Sequence, residues 1–257
     1  MAQIVTSFEE RAEGRVARVV IDNQAKLNVL NSALSAELEA AFRALAADAG
    51  LRAVVLAGAG GRALIGGADI REMAELDPRS ARAFITQLHN VCAAIRALPV
   101  PVVARMQGYC LGGGLEIAAA CDMRIASDDA VMGMPEVRVG IPSVIEAALL
   151  PHLIGWGRTR RILMTGETFG ADKALAWGMV EEVVPVAELD AAIGRVLDDL
   201  LAGAPHALAL QKRLIGEWEE RGMAGAIAAG IDAFAEAWTT PEPAARMAHF
   251  LASKKKS

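Results

Sequence analysis

The chain predicts an α/β fold: strands and helices alternate over roughly its first three quarters, and helices alone make up the rest. Three observations support this. Apolar or β-branched runs short enough to be strands recur, each followed by a stretch with helical spacing. Glycine clusters separate several of these units, and from Ala187 onward only alanine-rich helical segments are found. With 257 residues, 54% of them hydrophobic and 22% charged, the chain is an ordinary core-forming protein. A soft boundary falls near residue 195, giving a main domain over 1–195 and a helical region over 196–257 that covers the body or packs on other subunits.

In chain order, Arg15 to Asp22 reads as a strand ending in a turn. Ser32 to Leu45 then places Leu34, Leu38, Ala41, Phe42 and Leu45 at helical spacing, with Ser32 as the cap. Arg52 to Ala57 is a continuously apolar strand of the doubly buried kind. The glycine-rich Gly58-Ala59-Gly60-Gly61 and Gly66-Gly67-Ala68-Asp69 follow, and a helix begins at Asp69, with Glu72 completing a capping box. A long helix over Arg79 to Leu98 leads through Pro99 and Pro101 into a strand ending at Met106. Gly112 to Ala120 is helical, Met123 to Ala126 is a strand, and helices follow near Leu150 and from Arg158 to Met164. Ala187 to Leu201, His206 to Glu220 and Met223 to Trp238 complete the helical end. No fixed period marks a repeat array.

Composition excludes several classes of function. A net charge of −5, with Lys254-Lys255-Lys256 as the only basic run, offers no field for nucleic acid. Three cysteines, Cys92, Cys110 and Cys121, form no C-x-x-C pair and read as buried, reduced thiols of a cytoplasmic protein. The four histidines lie far apart, so no metal site is expected. There is no leader-like N-terminus and no run near the about 18 apolar residues of a membrane span, so neither export nor a membrane partner is expected.

The chemistry concentrates in two glutamates. Glu116 follows Gly112-Gly113-Gly114-Leu115, and Glu136 stands in Met134-Pro135-Glu136-Val137. Glycines allow close backbone paths that present free N–H groups, and two carboxylates beside an anion-holding site suit proton transfer next to a carbonyl. The same glycines also serve plain packing of a helix on a sheet. Gly66-Gly67-Ala68 opens similar space ahead of Asp69, so the Ala68 and Gly113 N–H groups together could form an oxyanion hole. Gly58-Ala59-Gly60-Gly61-Arg62-Ala63 formally fits a dinucleotide fingerprint, but the segment after it breaks any helix that could bind a pyrophosphate.

Four ordered motifs carry a family resemblance. Asn28-Val29-Leu30-Asn31, Gly66 through Met73, Gly108 through Asp122, and Gly133-Met134-Pro135-Glu136 resemble the successive motifs of the enoyl-CoA hydratase/isomerase (crotonase) superfamily, most closely its hydratases. The resemblance implies a crotonase-like, Clp-protease-like spiral of β-β-α repeats in two roughly perpendicular sheets. It also implies a C-terminal helical region that builds homotrimers or homohexamers. The substrate would be an acyl-CoA thioester, with no cofactor beyond the coenzyme A that is part of it. Ala68 and Gly113 would hold the thioester oxygen; Lys26, Leu27, Gly66, Asp69, Ile70, Gly112 and Ser143 would line the substrate site. Glu116 would activate water for the β-carbon, and Glu136 would protonate the α-carbon of a trans-2-enoyl-CoA.

The chain departs from the hydratase pattern after Glu136. Where a glycine-rich stretch is usual, it reads Gly140-Ile141-Pro142-Ser143-Val144-Ile145-Glu146-Ala147-Ala148, one residue shorter. Ser143 would stand near the position whose N–H helps hold water. Glu146 is either the far end of a Ser143-x-x-Glu146 capping box, the preferred reading, or a third carboxylate in the pocket. Lys26 and Arg71 either meet CoA phosphates or are simply solvated, and the four tryptophans are expected in the core. Two other functions stay open: an enoyl-CoA isomerase using Glu136 alone, and a non-catalytic acyl-CoA-binding homologue.

Overall fold

The computed structural model describes residues 2–254; of the basic run, Lys255 and Lys256 lie outside the described residues. Strands β1 (Gln3–Arg11), β2 (Gly14–Asp22) and β3 (Leu51–Gly58) flank helix α1 (Ser32–Leu45) in sequence. Next come β4 (Ala63–Ile65), α2 (Ile70–Met73), α3 (Pro78–Ala97), β5 (Val102–Met106), β6 (Tyr109–Leu111), α4 (Gly113–Ala120), β7 (Met123–Ser127) and β8 (Val131–Gly133). Two short 3-10 turns, Glu136–Val139 and Ile145–Leu149, precede α5 (Leu150–Thr165), β9 (Thr168–Gly170), α6 (Ala171–Trp177) and β10 (Glu182–Val184). Helices α7 (Leu189–Ala202), α8 (Pro205–Glu220), α9 (Met223–Ala237) and α10 (Glu242–Lys254) end the chain.

The strands sort into a six-stranded sheet in the order β1-β2-β3-β5-β7-β10 and a four-stranded sheet in the order β4-β6-β8-β9. Each repeat sends its first strand to the large sheet (β3, β5, β7) and its second to the small one (β4, β6, β8). Successive turns stack in parallel in both sheets. This is the expected spiral of β-β-α units. One consequence places the site: the segments leaving β4, β6 and β8 emerge side by side, with Ile65 opposite Cys110 and Cys110 opposite Met132.

The large sheet is buried on both faces around β3, which explains its continuous apolar run. Val54 and Leu56 face the main core with Leu38, Phe42 and Ile95, whereas Ala53 and Val55 face Ile193, Leu197 and Leu201 of α7. The expected boundary at residue 195 therefore runs through α7, and that helix covers the sheet as part of the body. Beyond it, α8 and α9 share only a small cluster of Leu214, Ala229 and Ala233. The three cysteines are buried, free thiols. No helix among the described residues is long and apolar enough to cross a membrane.

Several local expectations need correction. Strand β1, which no apolar pattern in the sequence marks, is an exposed edge strand held by pairing with β2 rather than by burial. Asn31, not Ser32, caps α1, accepting from the Leu34 N–H at 2.8 Å. Glu72 closes no capping box with Asp69. Its carboxylate accepts from the Ser32 N–H at 2.9 Å and from the Ser32 hydroxyl, tying α2 to α1 instead. Three of the four tryptophans are not core residues: Trp156, Trp218 and Trp238 are exposed, whereas Trp177 is part-buried and packs against the main core, on Phe169 at 5.0 Å with Lys173 over its ring. After β3 the glycine-rich segment turns back at Gly60 and Gly61, both with positive φ, straight into β4. No helix follows to receive a pyrophosphate.

Candidate active site

The ends of β4, β6 and β8 open onto a pocket of about 640 Å³ lined by Gly66, Gly67, Ala68, Gly112, Gly113, Glu116, Glu136 and Ser143. Apolar walls come from Met73, Leu76, Phe84, Ile85 and Leu88 on and around α2 and α3, and from Val139, Ile141 and Pro142 on the opposite rim. Those α2 and α3 residues were not singled out from sequence. Their periodicity marks an amphipathic helix face without saying whether that face meets core or ligand.

Two backbone donors are shaped by local geometry. Leu30 forms an isolated parallel bridge with Ala68, in which the Leu30 N–H donates to Gly67 O at 2.9 Å and the Asp69 N–H to Leu30 O at 2.8 Å. Parallel pairing of this kind leaves the N–H of Ala68 itself facing away from the bridge. Gly113 is the first residue of α4, so its N–H has no acceptor within the helix, and the positive end of the helix dipole lies there.

The glycine triplet is explained by contacts on three sides. A Cβ on Gly112, whose φ is +55°, would collide with the Glu136 carboxylate; on Gly113 it would meet Leu88, and on Gly114 the Ile65 carbonyl at 2.6 Å. Helix packing and site construction are thus the same requirement here. Of the other expected binding residues, Ile70 lines the pocket. Lys26, Leu27 and Asp69 stand just behind its edge: the Leu27 carbonyl accepts from the Gly66 N–H at 2.8 Å, and Lys26 Nζ lies 3.5 Å from Asp69 Oδ2. Asp69 caps α2 by accepting from the Arg71 N–H at 3.0 Å. Buried Asn28 braces this loop, donating to the Ala63 carbonyl at 2.7 Å and the Ala59 carbonyl at 3.0 Å.

The two carboxylates differ sharply in surroundings. Glu116, in the first turn of α4, is only 3% exposed, and its Oε1 accepts from the Ala147 N–H at 3.2 Å. Its pKa is pushed up to about 8, chiefly by burial and then by the Glu136 carboxylate, with the Ala147 N–H pulling the other way. Glu136 sits on the 3-10 turn after β8 and its Oε2 accepts from the Ser143 hydroxyl at 2.8 Å. Ser143 therefore touches a site carboxylate directly through its side chain, a contact its backbone-based expectation missed.

Glu146 does not form the expected capping box with Ser143. It is buried at 8% exposure, and its Oε1 lies 2.8 Å from His89 Nδ1. It does not line the pocket either. The preceding Ile145 has φ +35°, an uncommon value for a β-branched residue, where the usual family pattern supplies glycine. The shortened segment still turns its backbone toward the site, since both the Ala147 and Val144 N–H groups address Glu116.

The Enoyl-CoA hydratase/isomerase family model matches residues 11–254. The chain belongs to this family. Among curated relatives it is 35% identical over 244 residues to a short-chain-enoyl-CoA hydratase of Clostridium acetobutylicum, covering 95% of this chain and 94% of that protein. It is 32% identical, at the same coverage, to a crotonyl-CoA hydratase of Syntrophomonas wolfei. Among solved structures, an enoyl-CoA hydratase of Mycobacterium smegmatis superposes with a TM-score of 0.91 at 29% identity, covering 96% of both chains. One from Bacillus anthracis gives 0.89 at 29% identity, covering 98% of this chain and 96% of that one. Crotonase-fold membership and the β-β-α spiral therefore agree.

Proposed function

We propose that this family member hydrates trans-2-enoyl-CoA reversibly to 3-hydroxyacyl-CoA. The observation that carries the proposal is the convergence of Glu116 and Glu136 on one pocket that also receives the Ala68 and Gly113 backbone. The hydratase names borne by the relatives agree with it.

In hydration, Glu116 takes a proton from water as its oxygen adds to the β-carbon. Negative charge builds on the thioester oxygen, where the Ala68 and Gly113 N–H groups receive it; a donor of this kind is worth about 3–4 kcal/mol in the transition state. Glu136 then gives its proton to the α-carbon. Two close carboxylates disfavour double ionisation, so the pair works with one proton. Burial favours the protonated form of Glu116. The site is thus poised for elimination, with Glu116 protonating the departing hydroxyl, and hydration begins once the proton has left it. The thioester and the two N–H groups carry the developing charge, so the chemistry asks for no cofactor beyond the substrate's own coenzyme A.

Oligomerisation into trimers or hexamers fits the C-terminal helices. Met223, Ile227, Ile231 and Phe234 form an exposed apolar stripe along α9, and α10 exposes Met247 and Leu251. Buried, unpaired cysteines suit a cytoplasmic setting.

The test is loss of conjugated-thioester absorbance when crotonyl-CoA meets the wild type. Hydration with formation of 3-hydroxybutyryl-CoA is expected. A protein that only moves the double bond of a 3-enoyl-CoA, and does so without Glu116, would instead be an isomerase using Glu136 alone; one that binds acyl-CoA without turnover would be a non-catalytic homologue.

A further inference from the structure

His89, Glu146 and Glu116 form a polar line through an otherwise apolar region. Helix α3 turns Leu88 toward the pocket, while the next residue, His89, has a side chain 50% exposed. His89 Nδ1 meets Glu146 Oε1 at 2.8 Å. Glu146 Oε2 is fully buried and has no hydrogen-bond partner among the described residues. Glu146 directly precedes Ala147, whose N–H donates to Glu116, and the Cys92 thiol of α3 lies against the Glu146 carboxylate within the field of Glu116. The titratable groups facing Glu146 are therefore His89 and Cys92 from α3 and Glu116 from α4, with Glu136 beyond Glu116 across the pocket. A buried carboxylate with one oxygen tethered to a surface imidazole and no N–H or O–H donor on the other, only the weak Cys92 thiol beside it, is costly unless that oxygen has work to do.

We propose that His89 and Glu146 are positioning residues that form a proton exit behind Glu116, connecting it to solvent by a route other than the substrate pocket. The inference rests on the hydratase reading, in which each hydration leaves Glu116 with a proton it must lose. The O–H bond on Glu116 breaks as one forms on Glu146 Oε2, while Glu136 takes back from pocket water the proton it gave to the α-carbon, so Glu116 and Glu136 again hold one between them. Glu146 passes a proton to water through His89, which binds one at one ring nitrogen and releases one from the other. Elimination refills Glu116 by the reverse path, and no electrons change hands.

The test measures kcat and KM for crotonyl-CoA hydration by wild type, His89→Ala, His89→Gln and Glu146→Gln, at neutral pH with increasing imidazole. His89→Ala should lower kcat by about tenfold at unchanged KM, less than the about 10²–10⁴ lost with a group that transfers the reacting proton. Imidazole should restore it. His89→Gln, which keeps a hydrogen bond but carries no proton, should be equally slow, and Glu146→Gln slow and unresponsive to imidazole. Wild-type kcat in His89→Ala, or full activity in His89→Gln, would overturn the exit and leave a structural brace, even if Glu146→Gln fails to fold. A wild type inert on every enoyl-CoA would overturn the hydratase reading and this inference with it.

Discussion

The surroundings of Glu116 and Glu136 show how one side-chain type acquires two characters within a single pocket. Glu116 belongs to the body of the fold: it sits on a helix packed against the small sheet, excluded from water and addressed by backbone N–H groups. Glu136 belongs to the rim, on a short 3-10 turn, part-exposed and held by one serine hydroxyl. Burial holds a proton on the first, while the second keeps its reach over the substrate. The proposed acid/base pair needs unequal partners, and the inequality comes from which element carries each glutamate.

Removing either member should erase the comparison most completely. Glu116→Ala and Glu136→Ala should each lower kcat/KM for crotonyl-CoA by about 10²–10⁴, measured by steady-state hydration at unchanged circular dichroism. The next largest effect should come from Gly112→Ala, whose Cβ lands on the Glu136 carboxylate at a left-handed φ. Displacing a catalytic group by about 1 Å costs about 10²-fold, so kcat should fall by that order while CoA binding, followed by calorimetry, persists.

Ser143→Ala sharpens the rim side alone. Losing a hydrogen bond to a charged group costs about 1.5 kcal/mol, so activity should fall about tenfold, with Ser143→Thr recovering most of it. An unchanged rate in Ser143→Ala would mean that the hydroxyl does not position Glu136.

Glu116→Gln addresses the body side through stability. Folded Glu116 titrates at about 8 against an ordinary 4.5, so the folded state holds the proton more tightly than the unfolded one. Its contribution is complete below about 4.5 and is lost as pH rises through about 8, with a slope of up to about 1.4 kcal/mol per pH unit. Denaturant melts of wild type should show that decline, and the Gln variant should lack it. Parallel curves would show that Glu116 is not proton-bound.

Much of the candidate site was legible because glycine marks it: Gly66-Gly67 and Gly112-Gly113-Gly114 lie where β4 and β6 end, and at each a Cβ would strike a neighbour except Gly67, whose φ of +112° favours glycine instead. Helices α1, α3, α8 and α9 were readable within a few residues from their apolar spacing. What was hidden depended on distant parts of the chain meeting. Three-residue strands such as β4 and β8 are too short to show alternation, and β1 is defined by its partner. The local pattern Ser143-x-x-Glu146 looked like a cap, but tertiary partners took both ends, Glu136 drawing the serine and His89 the glutamate. Likewise Glu72 left its own helix start for Ser32.

The most direct test of the division of labour is solvent deuterium exchange at the α-carbon of butyryl-CoA, which has no β-hydroxyl to lose, followed by NMR in wild type, Glu116→Gln and Glu136→Gln. If Glu136 serves the α-carbon and Glu116 the β-carbon, Glu116→Gln should retain exchange while losing hydration, and Glu136→Gln should lose both. Exchange that survives in Glu136→Gln and vanishes in Glu116→Gln would contradict the assignment.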